Sequence, residues 1–204
     1  MMAPGQIIVL NGAPRSGKSS LARAIQDSFD GVWMNLGVDG FKAMTPQRVQ
    51  PGIGLRPGGE RPDLEPLIAS LYLALYQSIA AHSRLGVNVV ADLGHHDGYS
   101  QPRHILPACA RVLEGLPAWL IGVRCPIEVV MARRAATWNQ AWSLGDPIPA
   151  PVQRFQDEVH RPGLYDLEVD TSALTSEACG RAIAARLAQG PAPTAFAQLA
   201  ALGA

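Results

Sequence analysis

Gly12-Ala13-Pro14-Arg15-Ser16-Gly17-Lys18-Ser19 fills every fixed position of the pattern G-x-x-x-x-G-K-[ST]. Immediately before it, Gln6-Ile7-Ile8-Val9-Leu10-Asn11 carries a continuous apolar run, as expected of a parallel strand covered on both faces. After it, Leu21, Ala22, Ala24, Ile25 and Phe29 recur at helical spacing. Strand, glycine-containing loop and helix, in that order, form the context in which this pattern cradles phosphate. The glycines let the main chain curl around an anion, and the amides at the helix start donate to it with the dipole assisting. The cradle is expected to run from Gly12 through Ala13, Pro14, Arg15, Ser16, Gly17, Lys18 and Ser19 to Ser20. Lys18 is expected to reach the terminal phosphates of ATP, and the Ser19 hydroxyl to ligate Mg²⁺. Pro14 removes one amide, but from the outer part of the loop.

Working outward from this loop, strand-like runs recur at 32–39, 87–92, 118–125 and 164–170. Helical spacing marks 64–85, 105–116, 127–138 and 176–187. Five strands alternating with helices predict a three-layer α/β/α fold around a largely parallel sheet, with ligands gathering at the carboxyl ends of the strands. Residues 1–189 are read as one domain. Within it, 41–66 is rich in Gly and Pro and is expected to be an irregular substrate flap, while 139–155 is expected to be a small lid. Residues 190–204 read as a C-terminal tail, a Pro-containing linker with a weak helix of Ala and Leu.

Bulk composition narrows the function classes. The 204 residues are 48% hydrophobic and 17% charged, a globular rather than a disordered balance. Seventeen Lys and Arg offset seventeen Asp and Glu, and no basic run is present, so nucleic acid is not an expected partner. The N-terminus lacks the basic start and long apolar stretch of a signal peptide, and no run matches a membrane span, so a cytoplasmic protein is expected. Cys109, Cys125 and Cys179 form no C-x-x-C pair and read as buried thiols rather than disulfides or zinc ligands. Oligomeric state is left open.

The loop alone does not say whether phosphate passes to water or to a substrate; the other strand ends carry that information. Asp39 is expected to end the second strand, where a carboxylate can orient an acceptor hydroxyl and take its proton, or simply cap a loop or helix. Asp92 ends the third strand, where an acid can hold a Mg²⁺-bound water, contact the acceptor, or form a turn. Arg133 and Arg134 precede the lid and can close over the phosphates or lie on a solvated helix face. His95 and His96 lie in a loop without further ligands at metal spacing, and are assigned to the acceptor pocket rather than to a metal. Guanine recognition is not expected, because no N-K-x-D-like run is present.

Four segments together resemble the chloramphenicol phosphotransferase family of P-loop kinases: Ile8-Val9-Leu10-Asn11-Gly12 leading into Gly17-Lys18-Ser19; Gly37-Val38-Asp39; Gly122-Val123-Arg124-Cys125; and Val159-His160 with Tyr165-Asp166-Leu167-Glu168-Val169-Asp170-Thr171. The resemblance implies a P-loop kinase fold and ATP-dependent O-phosphorylation of a small hydroxyl compound. It implies Asp39 as catalytic base, Lys18 and Ser19 in the nucleotide site, Asp92 as the acid after the third strand, and Arg133 as a lid arginine. The chain departs from the pattern in the loop 44–61, in Leu93-Gly94-His95-His96 and in the lid, where Thr137 replaces a second arginine. Chloramphenicol is therefore one possible acceptor among several. A nucleoside, nucleotide or sugar kinase, and a nucleotide-dependent ATPase or switch without an acceptor, are the alternatives.

Overall fold

The computed structural model describes residues 3–138 and 141–202. Five strands, β1 (Ile7–Asn11), β2 (Trp33–Asn35), β3 (Asn88–Leu93), β4 (Ala118–Arg124) and β5 (Leu167–Asp170), form one sheet in the order β2-β3-β1-β4-β5. All four pairings are parallel. The central strand β1 is buried at every residue, which is why it reads as an unbroken apolar run. Its side chains alternate between two cores: Ile8 and Leu10 face one, Ile7 and Val9 the other.

Helices α1 (Lys18–Ser28) and α7 (Ser176–Gln189) cover the first face, burying Leu21, Ile25 and Ile183 against Val90, Ile121 and Val123. Helices α3 (Glu65–Arg84) and α4 (Ile105–Val112) cover the other, where Tyr76, Ile79 and Cys109 meet Val89 and Leu120. The expected three layers are therefore present. The helix after β1 lies on one face and the helix after β3, its neighbour in the sheet, on the other. A crevice opens at the carboxyl ends of two strands arranged in this way, and it is here that open α/β sheets place their ligands.

Three expectations change. First, β2 stops at Asn35, and Val38 and Asp39 open a short helix, α2 (Val38–Ala43). The turn falls at Gly37, where a Cβ would stand 3.2 Å from the Asp92 Cβ, a close approach to β3 that a larger residue could take only if Asp92 shifted by a few tenths of an ångström. Second, 41–66 is not wholly irregular. It contains the end of α2 and two 3₁₀ turns, Gln47–Val49 and Gly52–Gly54, and it sends Ile53 and Leu55 into the core. The Gln50 amide organises it, with Nε2 donating to the carbonyls of Lys42 and Thr45 (3.0 Å each) and to Thr45 Oγ1 (2.8 Å).

Third, residues 190–202, read as part of a tail with a weak helix, pack into the core. Helix α8 (Ala195–Ala201) buries Ala195, Phe196, Leu199 and Ala200 in the core beside α4 and β4. Its cap comes from a distance: Asp166 Oδ1 accepts from the amides of Thr194 (2.7 Å) and Ala195 (3.1 Å), while its Oδ2 accepts from Leu120 N (2.9 Å). Leu199 is fully buried, so Leu199→Ala should cost about 2–5 kcal/mol in a urea denaturation series. A change near zero would mean that α8 is not part of the cooperative core.

Of the expected lid 139–155, residues 139–140 lie outside the described residues. The remainder makes a turn closed by Ser143 N on Asp146 Oδ2 (2.7 Å) and leads into α6 (Ala150–Glu158), whose Phe155 packs on Ala13 of the phosphate loop. Helix α5 (Ile127–Trp138) precedes it. The three cysteines are free and buried, as expected.

Candidate active site

Between β1 and α1 the loop turns sharply enough that Gly17 adopts φ 91°, a left-handed conformation natural only to glycine. Arg15 also has a positive φ, 70°, which marks the loop as held in shape by its surroundings. Those surroundings are visible. Thr171 Oγ1 donates to the Ser16 carbonyl (2.5 Å), and the Arg133 guanidinium donates to the Thr171 carbonyl (2.7 Å), Thr171 Oγ1 (3.2 Å) and the Arg15 carbonyl (3.3 Å). Arg133 thus clamps the loop to the segment after β5 while still lining the cavity. The Ser16 hydroxyl is buried on the loop floor without a hydrogen-bond partner among the described residues.

Lys18 lies across the loop, Nζ donating to the Ala13 carbonyl at 2.8 Å and standing 3.7 Å from Asp92 Oδ1. Burial pushes the ammonium below its ordinary pKa, against the opposing pull of Asp92 and, more weakly, Asp39. One residue on, the Ser19 hydroxyl donates to Asp92 Oδ2 at 2.5 Å. Asp92 sits on β3 in register with Leu10 of β1, so parallel pairing is what delivers its carboxylate to the first turn of α1.

These groups open onto a cavity of about 590 Å³. Asp39 lines it from the first turn of α2, with its side chain exposed, rather than from a strand end as expected. Arg134 and Thr137 of α5 line it as well. Sequence reasoning passed over Lys42, Arg56, Tyr72 and Phe155, which also form its wall. The first of these was legible: Asp39 and Lys42 are three apart, which places them on one face once the segment is helical.

His95 and His96 are the exception. Neither lines the cavity; both are buried, at 2% and 7% exposure. His95 stacks on Tyr72 (centroids 4.5 Å apart), and its Nε2 hydrogen-bonds the Tyr76 hydroxyl at 2.9 Å. Its amide donates to Asn11 Oδ1 (2.7 Å), whose Nδ2 donates to the Val159 carbonyl and the Tyr165 hydroxyl. His96 Nε2 donates to the Leu55 carbonyl (2.9 Å) and holds the flap down. Among the described residues no group of three or more His, Cys, Asp or Glu could hold a metal by itself.

Burial, helped by neighbouring His96, lowers the His95 pKa to about 3. Between that value and the unfolded value of 6.5 the unfolded chain binds a proton that the native one does not, so stability falls as pH falls through this window. Thermal melts should show Tm decreasing from pH 7 to pH 5, and the slope should flatten in His95→Asn. An equal slope in the variant would remove His95 from the acid response.

The model of the chloramphenicol phosphotransferase-like protein family matches residues 5–188. The chain belongs to that family. As a chloramphenicol phosphotransferase-like protein it is 29% identical over 212 residues to the inferred O-phosphotransferase Rv2636 of Mycobacterium tuberculosis, an alignment covering 97% of this chain and 89% of that protein. Its fold is similar to that of the Mycobacterium tuberculosis APS kinase CysC in complex with AMPPNP and APS (TM-score 0.59, 15% identity, 90% of this chain and 97% of that one). It is also similar to shikimate kinase from Acinetobacter baumannii in complex with shikimate (TM-score 0.57, 10% identity, 90% and 93%). This family member therefore has the P-loop kinase fold and belongs among the phosphotransferases. No helix of the described residues is long and apolar enough to cross a membrane.

Proposed function

We propose that this protein is an ATP-dependent kinase that transfers the γ-phosphate to a hydroxyl of a small molecule. The observation that carries the reading is the convergence of Lys18, the Ser19–Asp92 pair and Asp39 on one cavity. The main-chain amides from Ala13 to Ser20, Pro14 excepted, would hold the phosphates, with Lys18 turning from the Ala13 carbonyl to the terminal oxygens. The Ser19 hydroxyl and Asp92 carboxylate are hard oxygen donors that fit Mg²⁺, which would supply charge neutralisation on the triphosphate. A smaller depression of about 280 Å³, lined by Gly17, Ser20, Arg133, Thr171, Leu174, Thr175 and Ser176, adjoins the loop and would take the nucleoside.

In the transfer step the acceptor oxygen forms a bond to the γ-phosphorus as the bond to the β,γ-bridging oxygen breaks and ADP leaves. Asp39 orients the hydroxyl and takes its proton, which then passes to solvent. Because the phosphoryl transition state is loose, Asp39 acts by holding the hydroxyl in line as well as by taking its proton. Candidate acceptors include an antibiotic such as chloramphenicol, a nucleoside, a nucleotide or a sugar; the need for ATP accords with a cytoplasmic enzyme, and chloramphenicol as acceptor would make the role antibiotic resistance. The test is incubation with Mg-ATP and a panel of these acceptors, read by mass spectrometry. Gain of one phosphoryl group on an acceptor supports the reading, whereas ADP formation with no modified acceptor would favour an ATPase or switch.

A further inference from the structure

We infer that the acceptor carries an oxyanion, a carboxylate, sulfate or phosphate, which Lys42 and Arg56 bind beside the hydroxyl that Asp39 orients. The inference rests on the kinase reading above and deepens it. The chain as a whole has no net charge, yet its cavity wall holds Arg15, Lys18, Lys42, Arg56, Arg133 and Arg134 against Asp39 and Asp92 alone. Such an excess is a local arrangement and calls for anionic ligands.

The phosphate loop accounts for part of it. Lys18 has Asp92, and Arg133 is tied to Thr171. Lys42 and Arg56 are different: neither side chain makes a hydrogen bond or ion pair with any described residue. Lys42 is half-buried, its stem lying along Gly54, where a Cβ would stand 3.5 Å from Lys42 Cδ. Its backbone is fixed, because the Lys42 carbonyl accepts from Thr45 Oγ1 (2.6 Å) and Gln50 Nε2 (3.0 Å). A cation placed in this way has a packed stem, a fixed backbone and no partner among the described residues. Arg56, which is exposed, lines the same cavity and adds to its field. It and Arg15 crowd Arg134, whose pKa is lowered first by burial and then by these two like charges.

Spacing supplies the rest. Asp39 and Lys42 lie one turn apart on α2, about 5–6 Å between Cβ atoms, so a bound oxyanion would stand a few bonds from the reacting hydroxyl. Ile53, Leu55, Tyr72, Leu93 and Phe155 line the remainder of the wall and suit an apolar ring or chain between the two groups.

The experiment has two stages. Mg-AMPPNP is first titrated into the wild type and into the Lys42→Ala/Arg56→Ala double variant by calorimetry. No binding to the wild type would defeat the kinase reading itself, and this inference with it. Sodium sulfate is then titrated, at constant ionic strength, into both proteins saturated with Mg-AMPPNP. The expected result is sulfate binding to the wild type that weakens by about tenfold or more in the double variant, with nucleotide affinity retained. No sulfate binding to nucleotide-loaded wild type, or equal binding to the variant, overturns the inference and leaves the kinase reading standing.

Matched acceptors supply a second arm: gluconate against gluconamide, and adenosine against its 5′-monophosphate. Wherever a pair is phosphorylated, the anionic member should be favoured in kcat/KM by about tenfold, and Lys42→Gln should narrow that gap through KM. Preference for the neutral member would overturn the inference.

Discussion

Lys18→Met is expected to abolish phosphoryl transfer while leaving the protein at least as resistant to heat as the wild type. The two outcomes follow from the environment of the side chain. The ammonium is buried, and its lowered pKa means that the cost of desolvating it exceeds what Asp92 at 3.7 Å and the more distant Asp39 return. An apolar side chain of similar length removes that cost, although it leaves the Asp92 carboxylate with Ser19 as its remaining partner. In the proposed nucleotide complex the balance would reverse. A triphosphate would bring several charges within reach of Nζ, and the interaction would strengthen as charge moves to the leaving oxygen. Loss of about 10²-fold or more in kcat/KM is expected, read by single-turnover transfer from labelled ATP, with Tm taken on the same preparations. Transfer persisting in Lys18→Met would remove the loop from the chemistry. A sharp fall in Tm would show that the buried charge is structural.

Asp39→Asn should lower kcat by about 10²–10⁴ with Mg-ATP affinity retained. The amide keeps the shape and can still accept a hydrogen bond from the acceptor hydroxyl, but it takes no proton. The side chain is exposed at the start of α2 and makes no contact on which the fold depends, so the variant should fold normally. If turnover is unchanged with a phosphorylated acceptor, Asp39 positions the hydroxyl at most and the base assignment is wrong. A rise in KM with kcat preserved would assign it to acceptor binding alone.

Legibility in the sequence followed how local each determinant was. The phosphate loop spans eight consecutive residues between a strand and a helix, and the structure placed it as read. Asp92 was legible because the end of a buried parallel strand is visible as the end of an apolar run. Asp39 was singled out in the wrong element, since Val38 continues the apolar pattern of β2, whereas the strand stops at Asn35 and the chain enters α2 after Gly37. Lys42 and Arg56 were hidden by the same error, a Gly- and Pro-rich stretch read as shapeless. His95 and His96 look like site residues in a loop after a strand, and their burial depends on Tyr72, Tyr76 and Leu55, from 19 to 41 residues away in the chain.

From the sequence by itself came the order of strands and helices, the parallel sheet and the glycine-containing loop between β1 and α1, because each rests on periodicity or on backbone freedom within a few neighbouring residues. Tertiary structure alone decided which charged groups share a cavity, that α8 completes the core under a cap lent by Asp166, and that two histidines face inward. These depend on distances between segments far apart in the chain, and a contact of that kind leaves no pattern in the neighbours of either residue.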